Sequence, residues 1–233
     1  MKDLLLITPP FTQLNTPYPA TAYLKGFLDT KNISSYQIDL GIEVILEIFS
    51  KKGVTQIFNV KPENLSENTQ RIFALKEEYI KTIDEVIAFL QNKKPTLARQ
   101  ICSMNFLPEA SRFNQLDDME YAFGNMGLQD KAKHLATLYL EDLSDYIIEN
   151  IDENFGFSRY AERLGRSANS FDELYEKLQS DKTFVDNFTL EILDKKLLET
   201  KPKLVCFSVP FPGNLYSAFT CAQHIKNHYP NIK

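Results

Sequence analysis

The stretch Asp3-Leu4-Leu5-Leu6-Ile7-Thr8-Pro9-Pro10 decides the fold class. Its unbroken apolar run lacks the alternation of a sheet with one wet face, as expected of a parallel strand covered on both sides. The two prolines end it, because proline donates no ladder hydrogen bond and turns the chain into a loop. Downstream, Pro19 suits the first turn of a helix, and Ala20, Tyr23, Leu24, Phe27 and Leu28 recur at the spacing of one buried helical face that should end near Asn32. Residues 34–40 then read as a second short strand, with Gly41 behind it. The result is a strand-helix-strand unit, for which a right-handed crossover is expected.

The far end of the chain repeats the pattern. Residues 203–209, Lys-Leu-Val-Cys-Phe-Ser-Val, form another buried-strand run, followed by Pro210-Phe211-Pro212-Gly213-Asn214. Asn214 reads as the N-cap of a final helix whose apolar stripe is Leu215, Ala218, Phe219, Ala222 and Ile225.

Between the two ends no strand pattern stands out, but helical ones do. Ile72, Leu75, Tyr79, Ile83, Val86, Ile87 and Leu90 share a face. So do Leu128, Ala132, Leu135, Ala136, Tyr139, Leu143, Tyr146 and Ile147, while Phe171, Leu174 and Leu178 start a third stripe. Pro108, Gly124 and Gly127 mark residues 105–127 as a loop. The fold expected is therefore α/β: an incomplete Rossmann-like, flavodoxin-like parallel sheet of about three strands in the order 2-1-3, with a large all-helical insertion between strands two and three. Residues 1–41 and 201–233 make the sheet-bearing part, and residues 42–200 the insertion, far longer than the usual crossover loops of about 2–6 residues.

Composition narrows the function. The chain has 233 residues and a net charge of −5, and its 26 Lys and Arg are interspersed with 31 Asp and Glu. Without a basic block a nucleic-acid partner is not expected. The longest apolar runs fall far short of the roughly 20 residues that cross a bilayer, and the N-terminal run is too short for a secretory leader, so no membrane partner and a cytoplasmic location are expected. Three cysteines, Cys102, Cys206 and Cys221, form no C-x-x-C pair and read as reduced thiols.

The chain contains no G-x-G-x-x-G, G-x-x-x-x-G-K-[ST], H-E-x-x-H or G-x-S-x-G. His224 and His228 stand four apart, but no nearby Glu or Cys completes a ligand set, and they read as a solvated helix end. Asp117, Asp118 and Glu120 read as a wet charged surface. Accordingly, neither catalytic nor metal-binding residues are assigned. What remains is the geometry of parallel sheets, whose ligands sit beyond the carboxyl ends of the strands. Those ends carry Thr8, Pro9, Pro10 and Phe11; Asp39 and Leu40; and Ser208, Val209, Pro210 and Phe211, which are the candidate cofactor-binding residues.

The same residues carry a family likeness. Leu5-Leu6-Ile7-Thr8-Pro9-Pro10, the Pro19-led helix through Leu28, and Tyr36-Gln37-Ile38-Asp39 resemble the opening of the cobalamin-binding domain of radical S-adenosylmethionine enzymes, and Lys201-Pro202-Lys203 through Val209 is similar to that family's third strand. The resemblance implies a cobalamin-binding-like module of a radical S-adenosylmethionine iron-sulfur oxidoreductase, with cobalamin at the strand ends and Ser208 bonding a corrin amide. No histidine lies in D-x-H-x-x-G and no C-x-x-x-C-x-x-C is present. The likeness therefore implies an N-terminal piece of a longer protein. It places the iron-sulfur cluster and S-adenosylmethionine in a partnering radical domain and makes this chain not catalytic alone. An open third strand also predicts self-association or cover by a helix of the insertion.

Two other readings differ in class. One is a cofactor-free substrate-docking or protein-interaction module that works through the helical insertion. The other is a free-standing nucleotide binder, which Pro9-Pro10 disfavours because it offers no backbone donors to a phosphate.

Overall fold

The computed structural model describes residues 3–12, 14, 18–61, 66–103, 105–118, 127–157, 162, 164 and 170–233. The chain divides into two compact units, Met1–Ile45 with Asn154–Lys233, and Leu46–Glu153.

The first unit holds a three-stranded parallel sheet in the order β2-β1-β3, built from β1 (Leu4–Thr8), β2 (Ser35–Asp39) and β3 (Leu204–Phe207). Register runs Leu4↔Ser35 through Thr8↔Asp39 on one side of β1, and Leu4↔Leu204 through Ile7↔Phe207 on the other. The contiguous run is explained by burial on both faces: Leu5, Leu6 and Ile7 are at most 3% exposed. The fold class expected from the sequence is thus the one observed.

Helix α1 (Ala20–Thr30) follows Pro19, as the sequence indicates. Its packing face differs from the expected one. Tyr23, Leu24 and Phe27 are exposed, Phe27 at 59%, while Thr21 is buried and Lys25 and Leu28 are half-buried. A narrow sheet accepts only a narrow strip of helix, and the strip at 21, 25 and 28 is the one laid down. Apolar periodicity finds a helix but does not say which of two adjoining stripes meets the sheet.

Helix α2 (Leu40–Ile48) begins directly at the end of β2 and carries the chain from one unit into the other. In the second unit come α3 (Lys51–Asn59), α4 (Glu67–Ala74), α5 (Lys76–Leu90), α6 (Ala98–Ile101) and α7 (Leu128–Asn150). Ser50 and Ser66 cap α3 and α4 through their hydroxyls. Tyr79, Tyr139 and Tyr146 are fully buried, and Phe58 packs edge-on to Tyr146 with ring centroids 5.0 Å apart. The buried Asp142 carboxylate accepts from the amides of Ala110 at 3.0 Å and Arg112 at 3.1 Å. Desolvation pushes its pKa up. Residues 111–118 form a short 3-10 segment, so the expected loop is partly helical. Glu120 and the side chains of Asp117 and Asp118 lie outside the described residues. Among the described residues, residues 42–200 contain no strand.

The chain returns to the first unit with α8 (Asp172–Gln179) and α9 (Phe184–Thr200), so these two helices belong with the sheet. Thr183 and Asp186 form a capping box on α9, and the Tyr216 hydroxyl donates to Asp186 at 2.6 Å. After β3, α10 (Leu215–His228) buries Tyr216, Ser217, Ala218, Cys221 and Ile225; Phe219, expected inside, is 40% exposed. Lys233 pairs with the outer edge of β3 through Lys233 N–H to Lys203 C=O at 3.0 Å and Val205 N–H to Lys233 C=O at 2.8 Å.

Candidate functional site

The three strands end side by side, and the loops that leave them converge. Asp39, the last residue of β2, accepts the Ile42 amide at 3.1 Å through Oδ1 and so caps α2. Burial raises its pKa, partly countered by the bonds from the Ile42 and Gly41 amides. Gly41 lies where the β1 and β2 loops touch: a Cβ there would sit 3.3 Å from Asp39 Oδ1 and 3.5 Å from both Phe11 and the Pro10 backbone. A side chain would crowd this contact, so the glycine has a packing reason.

The β1 and β3 loops are joined by two hydrogen bonds. Asn214 Nδ2 donates to the Pro9 carbonyl at 2.7 Å, and the Phe11 amide donates to the Gly213 carbonyl at 3.3 Å. Asn214 occupies the N-cap position of α10 but makes no side-chain cap bond; its amide goes to Pro9 instead. Its Oδ1 is buried without a hydrogen-bond partner.

The candidate residues sort into two groups by burial. Thr8, Pro9, Pro10, Phe11 and Leu40 are buried, Phe11 and Leu40 completely, and act as core and loop framework. Asp39, Ser208 and Pro210 are half-exposed, and Val209 and Phe211 are exposed at 40% and 55%. The Ser208 amide still donates to Ile7 at 2.8 Å, so the strand direction holds to that point. Phe211 meets Tyr18 edge-to-face at 5.9 Å. The strand ends therefore offer an apolar, aromatic rim flanked by one hydroxyl and one carboxylate.

Val209 and Phe211 are the exposed apolar side chains of this rim, with the half-exposed Ser208 beside them. Asn214 and the Phe11 amide span the space between the β1 and β3 loops.

Sequence reasoning named the loops, Gly41 among their residues, but gave Asn214 no role beyond starting a helix and Tyr18 none at the strand ends. Asn214 and Gly41 were visible as residue types, yet nothing local signals that their partners lie in another loop.

The histidines are elsewhere. His224 Nε2 lies 2.7 Å from Asp194 Oδ1, which also accepts the Tyr229 hydroxyl at 2.9 Å, and the His224 and His228 rings stack at 4.3 Å. Among the described residues no group of three or more His, Cys, Asp or Glu could hold a metal. Cys221 is buried, and burial pushes its thiol pKa well above the ordinary value. Among the described residues no helix is long and apolar enough to cross a membrane.

None of the family models, curated proteins and solved structures compared with this chain matches it.

Proposed function

We propose that this chain is the N-terminal, cobalamin-binding-like module of a radical S-adenosylmethionine iron-sulfur oxidoreductase, working in the cytoplasm and presenting a corrinoid or a substrate at its strand ends. The reading rests on the resemblance of the two chain ends. It is supported by one observation: the residues that carry the likeness meet at a single edge of the sheet, with Gly41 packed against Pro10, Phe11 and Asp39. Bound there, cobalamin would supply cobalt-centred chemistry. The residues of this chain would hold the ring on Val209 and Phe211 and orient it through Ser208. The iron-sulfur cluster and S-adenosylmethionine belong, in this reading, to a partnering radical domain, since three scattered cysteines cannot form the C-x-x-x-C-x-x-C triplet.

The test is a visible-absorption titration of the purified chain with hydroxocobalamin. A saturable spectral change that weakens in Phe211→Ala supports the reading; an unchanged spectrum at all concentrations overturns it.

The second reading, a cofactor-free docking module, draws support from the exposed Tyr23, Leu24 and Phe27 on α1, an apolar face without cover among the described residues. It differs from the expectation in using α1 rather than the helical insertion. Self-association through β3 is a further proposal of the first reading. Lys233 already occupies the Lys203–Val205 stretch of that edge, which leaves a second copy the stretch from Phe207 onward. Sedimentation across a concentration series tests it: a monomer at all concentrations rejects self-association.

A further inference from the structure

We infer that the switch point of this sheet is shut by Asn214, so that a ligand of the strand ends lies on their rim over Val209 and Phe211 and inserts nothing between β1 and β3. The identity of the ligand rests on the corrinoid reading above; the closure does not.

In an open parallel sheet the ligand crevice opens where the connections from neighbouring strands leave in opposite directions. With the order β2-β1-β3, that place is between β1 and β3. Here it is bridged twice, by Asn214 Nδ2 to Pro9 and by Phe11 N–H to Gly213. Asn214 and Phe11 are both fully buried, so among the described residues the bridge is shielded from solvent at the strand ends.

The side-chain amide is committed to this bridge at some cost. Asparagine at an N-cap ordinarily accepts from its own helix, whereas Asn214 makes no cap bond and leaves Oδ1 buried and unpartnered. Outside the bridge stands a surface suited to a flat conjugated ring. Phe211, propped edge-to-face by Tyr18, is more than half exposed, and Val209 beside it is nearly so. A ring resting there keeps its substituents in solvent.

Two measurements test this. Amide exchange of the purified chain reads the closure without any ligand. The Phe11 N–H should be protected, and Asn214→Ala should speed its exchange by about tenfold or more. A Phe11 amide that already exchanges at the unprotected rate in the parent chain overturns the closure. Corrinoid binding reads the pose: dicyanocobinamide, which lacks the nucleotide tail, and cyanocobalamin should bind within about threefold of each other, both weakened by Phe211→Ala. A cobalamin advantage above about tenfold means that the tail enters the sheet, and the inference fails while the corrinoid reading stands. If neither corrinoid binds, the corrinoid reading and the pose both fail, and Phe11 exchange still decides whether the switch point is shut.

Discussion

The Asn214 side-chain amide donates to the Pro9 carbonyl across 2.7 Å, joining residues that stand 205 positions apart in the chain. A buried carbonyl that loses its donor keeps its desolvation penalty, about 1–3 kcal/mol. Asn214→Ala is therefore expected to lower the unfolding free energy by about that much. Asn214→Asp is expected to cost more, because an ionised carboxylate cannot donate and would face the carbonyl oxygen directly. Urea unfolding of both variants checks the order; an Asp variant as stable as the Ala variant argues that Nδ2 does not make this bond.

Asp39 illustrates a group whose two jobs can be separated. It caps α2, and burial raises its pKa. A carboxyl with a raised folded pKa favours the folded state below its unfolded pKa, and that contribution is lost as pH rises through the folded value. Asp39→Asn keeps an N-cap of equal rank and carries no charge, so its stability relative to the parent should improve as pH rises from 3 to 7. Asp39→Ala should follow the same pH trend but lie about 1 kcal/mol below Asp39→Asn at either pH. Thermal melts at the two pH values distinguish these; an Asn variant that gains nothing with pH contradicts the assignment.

Asp186 is 1% exposed and serves the α9 capping box and the Tyr216 hydroxyl together. Asp186→Ala removes the reciprocal half of the capping box, the carboxylate that accepts the Thr183 amide, and orphans a buried hydroxyl, a combined cost of about 2–3 kcal/mol. Tyr216→Phe removes only the second bond and should cost about 1 kcal/mol. Equal losses in the two variants, measured by chemical denaturation, would mean that the Asp186 half of the capping box contributes nothing.

Two glycines should respond in opposite directions to the same change. At Gly26, on α1, a Cβ meets nothing within 4 Å, so Gly26→Ala should stabilise by about 0.5–1 kcal/mol. At Gly53 a Cβ would lie 2.3 Å from the carbonyl oxygens of both Glu47 and Ile48, which are backbone atoms that cannot turn aside. Gly53→Ala should be clearly destabilising, and a melting temperature equal to the parent's would show that the α2–α3 turn is looser than described.

Phe27 distinguishes the two possible faces of α1. At 59% exposure its replacement by Ala should cost under about 0.5 kcal/mol, whereas a buried Phe would lose about 3–5 kcal/mol. Denaturation of Phe27→Ala decides which face packs.

The strands were legible because their signals are local: a contiguous apolar run closed by Pro9-Pro10, and a similar run closed by Pro210. Their order also followed, since parallel pairing with one long crossover leaves few arrangements. The packing face of α1 was not legible, because Thr21 and Lys25 do not advertise burial while Tyr23 and Phe27 do. Phe11 and Leu40 look like rim residues in sequence, yet apolar side chains beside strand ends are drawn into the core. Asn214 was legible as a helix start but not as a bridge, since its partner belongs to the opposite end of the chain. The break between α4 and α5 at Leu75 was hidden by an apolar stripe that runs through both helices.

Asp3 and Lys203 form an ion pair at 2.7 Å at the base of β1 and β3, although 200 residues separate them. On a ribosome adding about 5–20 residues per second, the first strand emerges roughly 10–40 s before the strand that pairs with its far edge. Residues 46–153 form an unbroken stretch of chain and are free to fold in that interval. Leu5, Leu6 and Ile7 can pair with β2 early in synthesis, but their other edge stays a sticky, unpaired nascent ladder until residues 204–207 arrive.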